Sequence, residues 1–366
     1  MSTNKVIVSI ENLPDEITSY LNENYKFYDL SPYLKDYKTI KDYDINKREK
    51  WNNLLKSLPE FGKPDVVIFR TYTILDKNLI DIFPDNILFL RAGSGYDNID
   101  IKYALKRFCY VENTPLANTN SAFEHTISLL FASLKKLVQF NNATKNGKWR
   151  DKLDLNIEAK GKSICIVGYG NIGSKVASFA RFLGMNIFLY DPIKSLIGYY
   201  DKLPEFENFI ENHIEKEPIK NRFDFDYKPL YEIIKNVDIV SFHLPLYDKT
   251  YKMIDEKLLS SLKENAILLN TSRGELFEKE STILYFKNNP PSILATDVLP
   301  EEPCYGETPF FNLPNCIITP HIGAYTIEAR IRLKEEVIKT ISAFLNEKKM
   351  LYPVNPDFYF SPYFRF

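Results

Sequence analysis

Three side chains that follow short apolar runs have the types needed for proton transfer beside an anion. His321 lies in Thr319-Pro320-His321-Ile322-Gly323, after the run at Cys316. Glu302 lies in Thr296-Asp297-Val298-Leu299-Pro300-Glu301-Glu302-Pro303, after the run at Ile293. Arg273 lies in Asn270-Thr271-Ser272-Arg273-Gly274, after Ala266–Leu269. An imidazole, with an unperturbed pKa of about 6.5, suits a general acid or base near neutrality. A carboxylate can hold the ring and favour its charged form. An arginine can fork onto a carboxylate and polarise a carbonyl oxygen. Singly, each has an ordinary explanation: a surface arginine, one of two acids before a proline, a satisfied structural histidine. What makes them a set is their shared place just past strand ends, where ligands bind in doubly wound sheets.

A second constellation complements them. Lys162–Asp191 reads KSICIVGYGNIGSKVASFARFLGMNIFLYD. A strand runs into Gly168-Tyr169-Gly170-Asn171-Ile172-Gly173, then come a helix and a second strand ending in Asp191. Glycines in this strand–turn–helix context form a dinucleotide fingerprint. Gly168 permits the tight turn, Gly170 lets a pyrophosphate approach the helix N-terminus, and Gly173 lets helix and strand pack closely. A carboxylate at Asp191 accepts hydrogen bonds from the adenosine ribose and repels a 2′-phosphate, so the expected cofactor is NAD rather than NADP. The turn specifies a dinucleotide; the reaction has to be read elsewhere.

The elements that must carry these residues alternate. Strands are expected at Val6–Ile10, Val66–Arg70, Ile87–Arg91 and Phe108–Glu112, with helices such as Ile40–Lys56 and Asn98–Arg107 between them. Ser121–Val138 reads as one helix: Asn118 to Ser121 crowd its start with capping residues, and Ile127, Leu130, Phe131, Leu134 and Leu137 recur at helical spacing. After a polar stretch, Asn141–Lys162, come strands Ser163–Val167, Asn186–Tyr190, Ile239–Phe242, Ala266–Asn270, Ile293–Thr296 and Cys316–Ile318, and a last long helix, Ala324–Asn346. Such alternation implies mostly parallel sheets covered on both faces. Residues 194–230 break the rhythm with charges and aromatics and no useful strand pattern, and read as a solvated surface insertion.

The 366 residues suggest about two domains. A composition 45% hydrophobic and 26% charged is that of a globular protein with real cores. Lys and Arg number 47 against 48 Asp and Glu, which leaves no bulk basic field for nucleic acid. Cys109, Cys165, Cys304 and Cys316 lack metal-ligand spacing, so no metal is expected and the thiols read as reduced, in a cytoplasmic protein. No apolar stretch has the length of a membrane span, and the start is too short in apolar residues for a signal peptide. Only 13 glycines are present, and seven of them (Gly93, Gly95, Gly168, Gly170, Gly173, Gly274 and Gly323) fall in candidate ligand-facing loops.

Taken in order, these segments resemble the D-isomer-specific 2-hydroxyacid dehydrogenases, among which are phosphoglycerate, D-lactate and glyoxylate/hydroxypyruvate enzymes. The resemblance also covers Arg91-Ala92-Gly93-Ser94-Gly95-Tyr96-Asp97-Asn98-Ile99-Asp100, Asn113-Thr114-Pro115 through Glu124-His125-Thr126, Asp238 through Pro245, and Val354-Asn355-Pro356. It implies an α/β chain of two doubly wound parallel-sheet domains with a cleft between them. A flavodoxin-like substrate domain would comprise residues 1–118 and 325–366, and a Rossmann NAD-binding domain residues 119–324. It implies catalysis by Arg273, Glu302 and His321, substrate-carboxylate binding by the Ser94 and Gly95 N–H groups, and Asp297 near the nicotinamide. It adds His243, Pro245, Thr250, Thr271 and Ser272 to the cofactor set of Gly168, Tyr169, Gly170, Asn171, Ile172, Gly173 and Asp191. Arg70 matches the position where phosphoglycerate enzymes hold the substrate phosphate, so 3-phosphoglycerate leads among small 2-hydroxy or 2-keto acid substrates. His125 is expected to be structural or supporting, as is His243 within the cofactor set; His213 is expected to be exposed in the insertion. A homodimer is expected. The Gly93–Lys102 run also resembles NADH-sensing C-terminal-binding corepressors, which carry a tryptophan shortly after the matching histidine. Ala324 stands in that region here, and Trp51 and Trp149 lie far away in sequence.

Overall fold

The computed structural model describes residues 4–31, 63–71, 73–194, 196–200 and 227–354. The chain divides into two compact units, Met1–Asn118 with Ile327–Phe366, and Thr119–Thr326.

The first unit is built on β1 (Val6–Ser9), β2 (Lys26–Asp29), β3 (Val66–Phe69), β4 (Leu88–Arg91) and β5 (Tyr110–Asn113), all parallel, in the order β2-β1-β3-β4-β5. This is the flavodoxin-like order. Alternation along the strands feeds two cores. Val66, Ile68, Leu88 and Leu90 pack with Ile17 and Leu21 of helix Asp15–Asn24 and with Val337 and Ile341 of helix Ile327–Ser342. Val67, Phe69, Phe89 and Val111 pack on the opposite face with Leu79, Ile80 and Ala104. The chain end joins this sheet: Pro353 bridges Glu112 in antiparallel fashion, and Glu112 accepts the Leu351 and Tyr352 N–H groups at 2.8 and 2.6 Å.

The second unit holds β6 (Ser163–Val167), β7 (Asn186–Asp191), β8 (Leu196–Tyr199), β9 (Ile239–Phe242), β10 (Ile267–Asn270), β11 (Ile293–Thr296) and β12 (Cys316–Ile318). Their order is β12-β11-β10-β9-β6-β7-β8, with only β8 antiparallel. The strand order reverses between β6 and β9, which creates the crevice where nucleotides bind in open α/β sheets. One face packs Ile127, Leu130 and Leu134 of helix Thr119–Leu134 and Val176, Ala177 and Ala180 of helix Asn171–Phe182. The other packs Leu230, Ile234, Leu258, Leu259 and Phe286.

Several elements differ from the sequence reading. The single helix Ser121–Val138 is two, Thr119–Leu134 and Leu137–Lys145, separated where Lys136 turns left-handed at φ 47°. The helix expected over Ala324–Asn346 is α-helical over Ile327–Ser342 and ends in a π turn, Ala343–Glu347. The stretch 194–230, expected to hold no useful strand, contains β8, whose four residues include Gly198 and pair along β7. β2, a part-exposed edge strand ending in Lys26 and Asp29, has no apolar run to announce it. The helix expected at Ile40–Lys56, the span 201–226 with His213, and Asn355 and Pro356 lie outside the described residues.

Candidate active site

At the end of β6 the chain reverses through Gly168 at φ +95°, and an added Cβ there would stand 2.5 Å from the His243 carbonyl oxygen. Only glycine allows that conformation and that approach together. A Cβ on Gly170, by contrast, would meet nothing within 4 Å, so the backbone at the start of helix Asn171–Phe182 is open to a ligand. Asn171 and Ile172 form the first turn of that helix, where backbone N–H groups without helical partners can receive an anion. Asp191 ends β7 with its carboxylate beside this turn, accepting the Tyr169 N–H at 2.9 Å and the Lys194 N–H at 3.2 Å. Lys194 donates its ammonium to the Tyr169 carbonyl, so two consecutive peptides of the turn are clamped from the end of β7 and the short turn after it. These residues fit a dinucleotide: an open helix start, a close-packed glycine corner and an acid at the second strand end.

Across the switch point, His243 follows β9 and receives or donates a hydrogen bond with Ser241 Oγ at 2.8 Å through Nε2. Burial pushes its imidazole down to about 3, so it is neutral near pH 7. Pro245 and Thr250 close the following loop on itself. The Thr250 hydroxyl is buried, donates to the Pro245 carbonyl at 2.8 Å and accepts the Tyr247 N–H at 3.0 Å. Thr271 meets Thr126 of helix Thr119–Leu134, hydroxyl to hydroxyl, at 2.7 Å.

The turn after β10 is organised by Asn270, which is fully buried. Its Oδ1 accepts the Ser272 N–H at 3.0 Å and the Ser272 hydroxyl at 2.7 Å, and its Nδ2 donates to the Arg273 carbonyl at 2.8 Å. Asparagine two residues before the bonded N–H is the Asx-turn arrangement, a signal present in the sequence and overlooked there. Arg273 Nη1 donates to the Ser272 carbonyl at 2.7 Å. The next residue, Gly274, lies so close to the Leu299 carbonyl that an added Cβ would stand 1.9 Å from its oxygen. This contact joins the Arg273 turn to the segment bearing Glu302.

Glu302 Oε1 accepts the Leu299 N–H at 2.7 Å, while Oε2 meets His321 Nδ1 at 2.5 Å. That hydrogen bond holds the His321 imidazole above its ordinary pKa; burial and the Arg273 cation oppose it, and the charges of Glu302 and Asp297 reinforce it. The His321 side chain remains 41% exposed, leaving the ring available to a substrate. His321 itself is left-handed at φ 54°, an uncommon conformation for a residue with a Cβ. Its N–H donates to the Asp297 and Thr319 carbonyls at 2.8 and 3.0 Å.

Asp297 is 2% exposed and fastens this turn. Its carboxylate accepts the Thr319 hydroxyl at 2.6 Å, the Ile322 N–H at 2.9 Å and the Gly323 N–H at 2.7 Å. Burial pushes the carboxyl up, but hydrogen bonds from His125, Thr319 and the Ile322 N–H outweigh it and leave the group below its ordinary value.

Arg273, Glu302, His321 and Asp297 therefore share one site in the second unit, on loops at the C-terminal ends of β10, β11 and β12. Arg70, Ser94 and Gly95 belong to the first unit. Arg70 Nη1 donates to the Asn12 carbonyl at 3.3 Å, while its buried Nε has no partner among the described residues. The loop after β4 is fixed by Asn113, which donates to the Ser94 carbonyl at 2.7 Å, and by Arg91, whose Nε donates to Asn98 at 3.2 Å.

The sequence of the second unit has a recognisable pattern. Residues 127–323 match the model of the D-isomer specific 2-hydroxyacid dehydrogenase NAD binding domain. The chain is 34% identical over 294 residues to a glyoxylate reductase of Thermococcus litoralis, covering 78% of this chain and 82% of that protein. The chain belongs to the D-isomer-specific 2-hydroxyacid dehydrogenases. It is 30% identical over 280 residues to a D-3-phosphoglycerate dehydrogenase of Archaeoglobus fulgidus, covering 76% of this chain and 49% of that protein. In fold it is similar to the crystal structure of a glyoxylate reductase from Paecilomyes thermophila, with a TM-score of 0.77, 23% identity, and 97% and 99% of the two chains covered. As a member of this family it is an oxidoreductase acting on CH–OH donors, with a dinucleotide-binding domain. Among the described residues no helix is long and apolar enough to cross a membrane.

Proposed function

We propose that this 2-hydroxyacid dehydrogenase is an NAD-dependent reductase of small 2-keto acids, with glyoxylate and hydroxypyruvate ahead of the 3-phosphoglycerate couple. The observation that carries the chemistry is the 2.5 Å contact of His321 Nδ1 with Glu302, on a segment packed against the Arg273 turn. In the reducing direction the protonated imidazole gives its Nε2 proton to the substrate carbonyl oxygen, while Glu302 keeps the ring oriented and supports its charge. Arg273 takes the substrate carboxylate and polarises the carbonyl. The dinucleotide, when held by Gly168–Gly173, Asp191 and the loop after β9, supplies the hydride. The Ser94 and Gly95 N–H groups, which have no acceptor among the described residues, suit the substrate carboxylate. Asp191 is the reason to favour NAD: a 2′-phosphate would meet its carboxylate.

The ranking of substrates departs from the sequence reading. It rests on the glyoxylate reductase likeness, which covers most of both chains, whereas this chain spans 49% of the phosphoglycerate relative. A homodimer forms part of the proposal; the exposed Leu137, Trp149 and Leu155 suit a second copy, and a monomer by light scattering would remove it. The deciding experiment is a panel of glyoxylate, hydroxypyruvate, 3-phosphohydroxypyruvate and pyruvate with NADH and NADPH. Turnover of glyoxylate or hydroxypyruvate with NADH is expected. Failure of every acid would overturn the enzymatic reading, and NADH-dependent peptide capture without turnover would favour the corepressor-like one.

A further inference from the structure

His125, in helix Thr119–Leu134, has no part in the chemistry just described, yet its ring reaches the two residues that frame the His321 turn. Its Nε2 lies 2.9 Å from Thr319 Oγ and 3.2 Å from Asp297 Oδ1, with the side chain 17% exposed. A proton inventory fixes its role. The Thr319 hydroxyl has one hydrogen, and it goes to Asp297 Oδ1 at 2.6 Å. Thr319 Oγ can then only accept from His125, and Asp297 is an acceptor as well, so His125 must carry a proton on Nε2. One N–H thus ties the end of β11 and the end of β12 to a helix.

What hangs from that tie is the presentation of His321. The left-handed His321 gives its N–H to the Asp297 carbonyl, and the Ile322 and Gly323 N–H groups go to the Asp297 carboxylate. The two bonds to the carboxylate, from the residues immediately after His321, move if the Asp297 side chain moves, and they hold the turn in which the His321 N–H meets the Asp297 backbone carbonyl. We propose that His125 is a positioning residue for His321, acting through an Nε2–H shared between Asp297 and Thr319. The inference rests on the reading of His321 as the proton donor.

The test is a series at position 125 in the full chain. His125→Leu removes the donor at similar volume, His125→Gln places an amide N–H near the position of Nε2, and His125→Asn places one short of it. Leu and Asn are expected to lower kcat for glyoxylate reduction by about 10–100-fold, the scale of a small misplacement of a reacting group. The KM for glyoxylate should stay within about threefold, and Gln should recover kcat to within about threefold of wild type. A role in folding alone would lower the melting temperature and leave kcat per folded enzyme unchanged. Leu within twofold of wild type, or Gln and Asn equally impaired, would overturn the proposal; should Leu fail to fold, the Gln–Asn comparison decides. A readout independent of turnover comes from imidazole nitrogen NMR, which is tractable with four histidines in the chain. His125 is expected to be protonated at Nε2, and a bare Nε2 overturns the proposal. Absence of keto-acid turnover in the wild type would instead overturn the functional reading and leave the NMR result to decide this one.

Discussion

Gly274→Ala offers the most direct test of how the site is assembled, because the change is one methyl group and its obstacle is backbone. The new Cβ would stand 1.9 Å from the Leu299 carbonyl oxygen, 2.0 Å from its carbon and 2.7 Å from Pro300 N. No rotamer relieves this, since neither partner is a side chain. Reaching the ~3.3 Å of an ordinary carbon–oxygen approach requires the two segments to part by about 1.4 Å. One segment carries Arg273 at the adjacent position. The other carries the Leu299 N–H that holds Glu302 Oε1 at 2.7 Å, and so indirectly the orientation of His321. Overpacking of this kind costs about 1–3 kcal/mol of stability, or roughly 2–12 °C in melting temperature for a unit of this size. Separating an anion-binding arginine from its acid–base pair by more than an ångström costs about 100-fold in rate.

The assay is NADH oxidation with glyoxylate or whichever keto acid turns over, under saturating cofactor, alongside a thermal melt and an NADH fluorescence titration. The variant is expected to stay folded, to bind NADH within a few-fold of wild type, and to lose about 100-fold in kcat. NADH affinity is expected to be largely kept because the Gly168–Gly173 turn follows β6 and lies on neither of the two colliding segments. A folded variant with kcat within threefold of wild type would refute the claim that this glycine contact sets the geometry of the site.

Four further outcomes are expected. His321→Ala should reduce kcat by about 10²–10⁴-fold, the usual span for a general acid, and steady-state rates at saturating substrate will show it. Glu302→Gln should lower the pKa of His321, because the hydrogen bond that raises it is weakened; reduction needs the protonated ring, so the alkaline limb of the kcat–pH profile should move to lower pH, and an unmoved limb would count against the pairing. Asp191→Ala should relax the preference for NADH over NADPH in kcat/KM, and a wild type that already prefers NADPH would contradict the reading of that carboxylate. Burial raises the Glu112 carboxyl from 4.5 to about 7, so the folded chain holds the proton more tightly than the unfolded one; this contribution, about 3 kcal/mol at most, is present below the ordinary carboxylate pKa and is lost as pH rises through about 7. Glu112→Gln should flatten the fall in urea-unfolding stability between mildly acid and mildly alkaline pH, and an equal fall in both proteins would show that this carboxyl is not responsible.

The parts of the protein legible in its sequence were those encoded by local chemistry. β6, β9, β11 and β12 are short apolar runs whose ends are marked by the residues proposed to bind or react, so strand and candidate site announce each other at Gly168, Asp297 and His321. β2 and β8 carry no such mark, because an edge strand draws its stability from a neighbour's backbone and needs little apolar surface of its own. The break at Lys136 is likewise a backbone event inside an unbroken helical pattern. The site shows the same division more sharply. Residue type identified His321, Glu302 and Arg273 as capable of the reaction, but it could not say which polar groups are already engaged. Thr250 has the hydroxyl expected of a cofactor contact, and that hydroxyl closes its own loop. His125 looks structural in the sequence because its partners, Thr319 and Asp297, are 194 and 172 positions away. Only the hydrogen-bond inventory across β11, β12 and their covering helix shows that its proton has one place to sit. A candidate catalytic side chain is thus recognisable from its own segment, whereas a residue proposed to aim it is recognisable only once the donors and acceptors around it have been assigned.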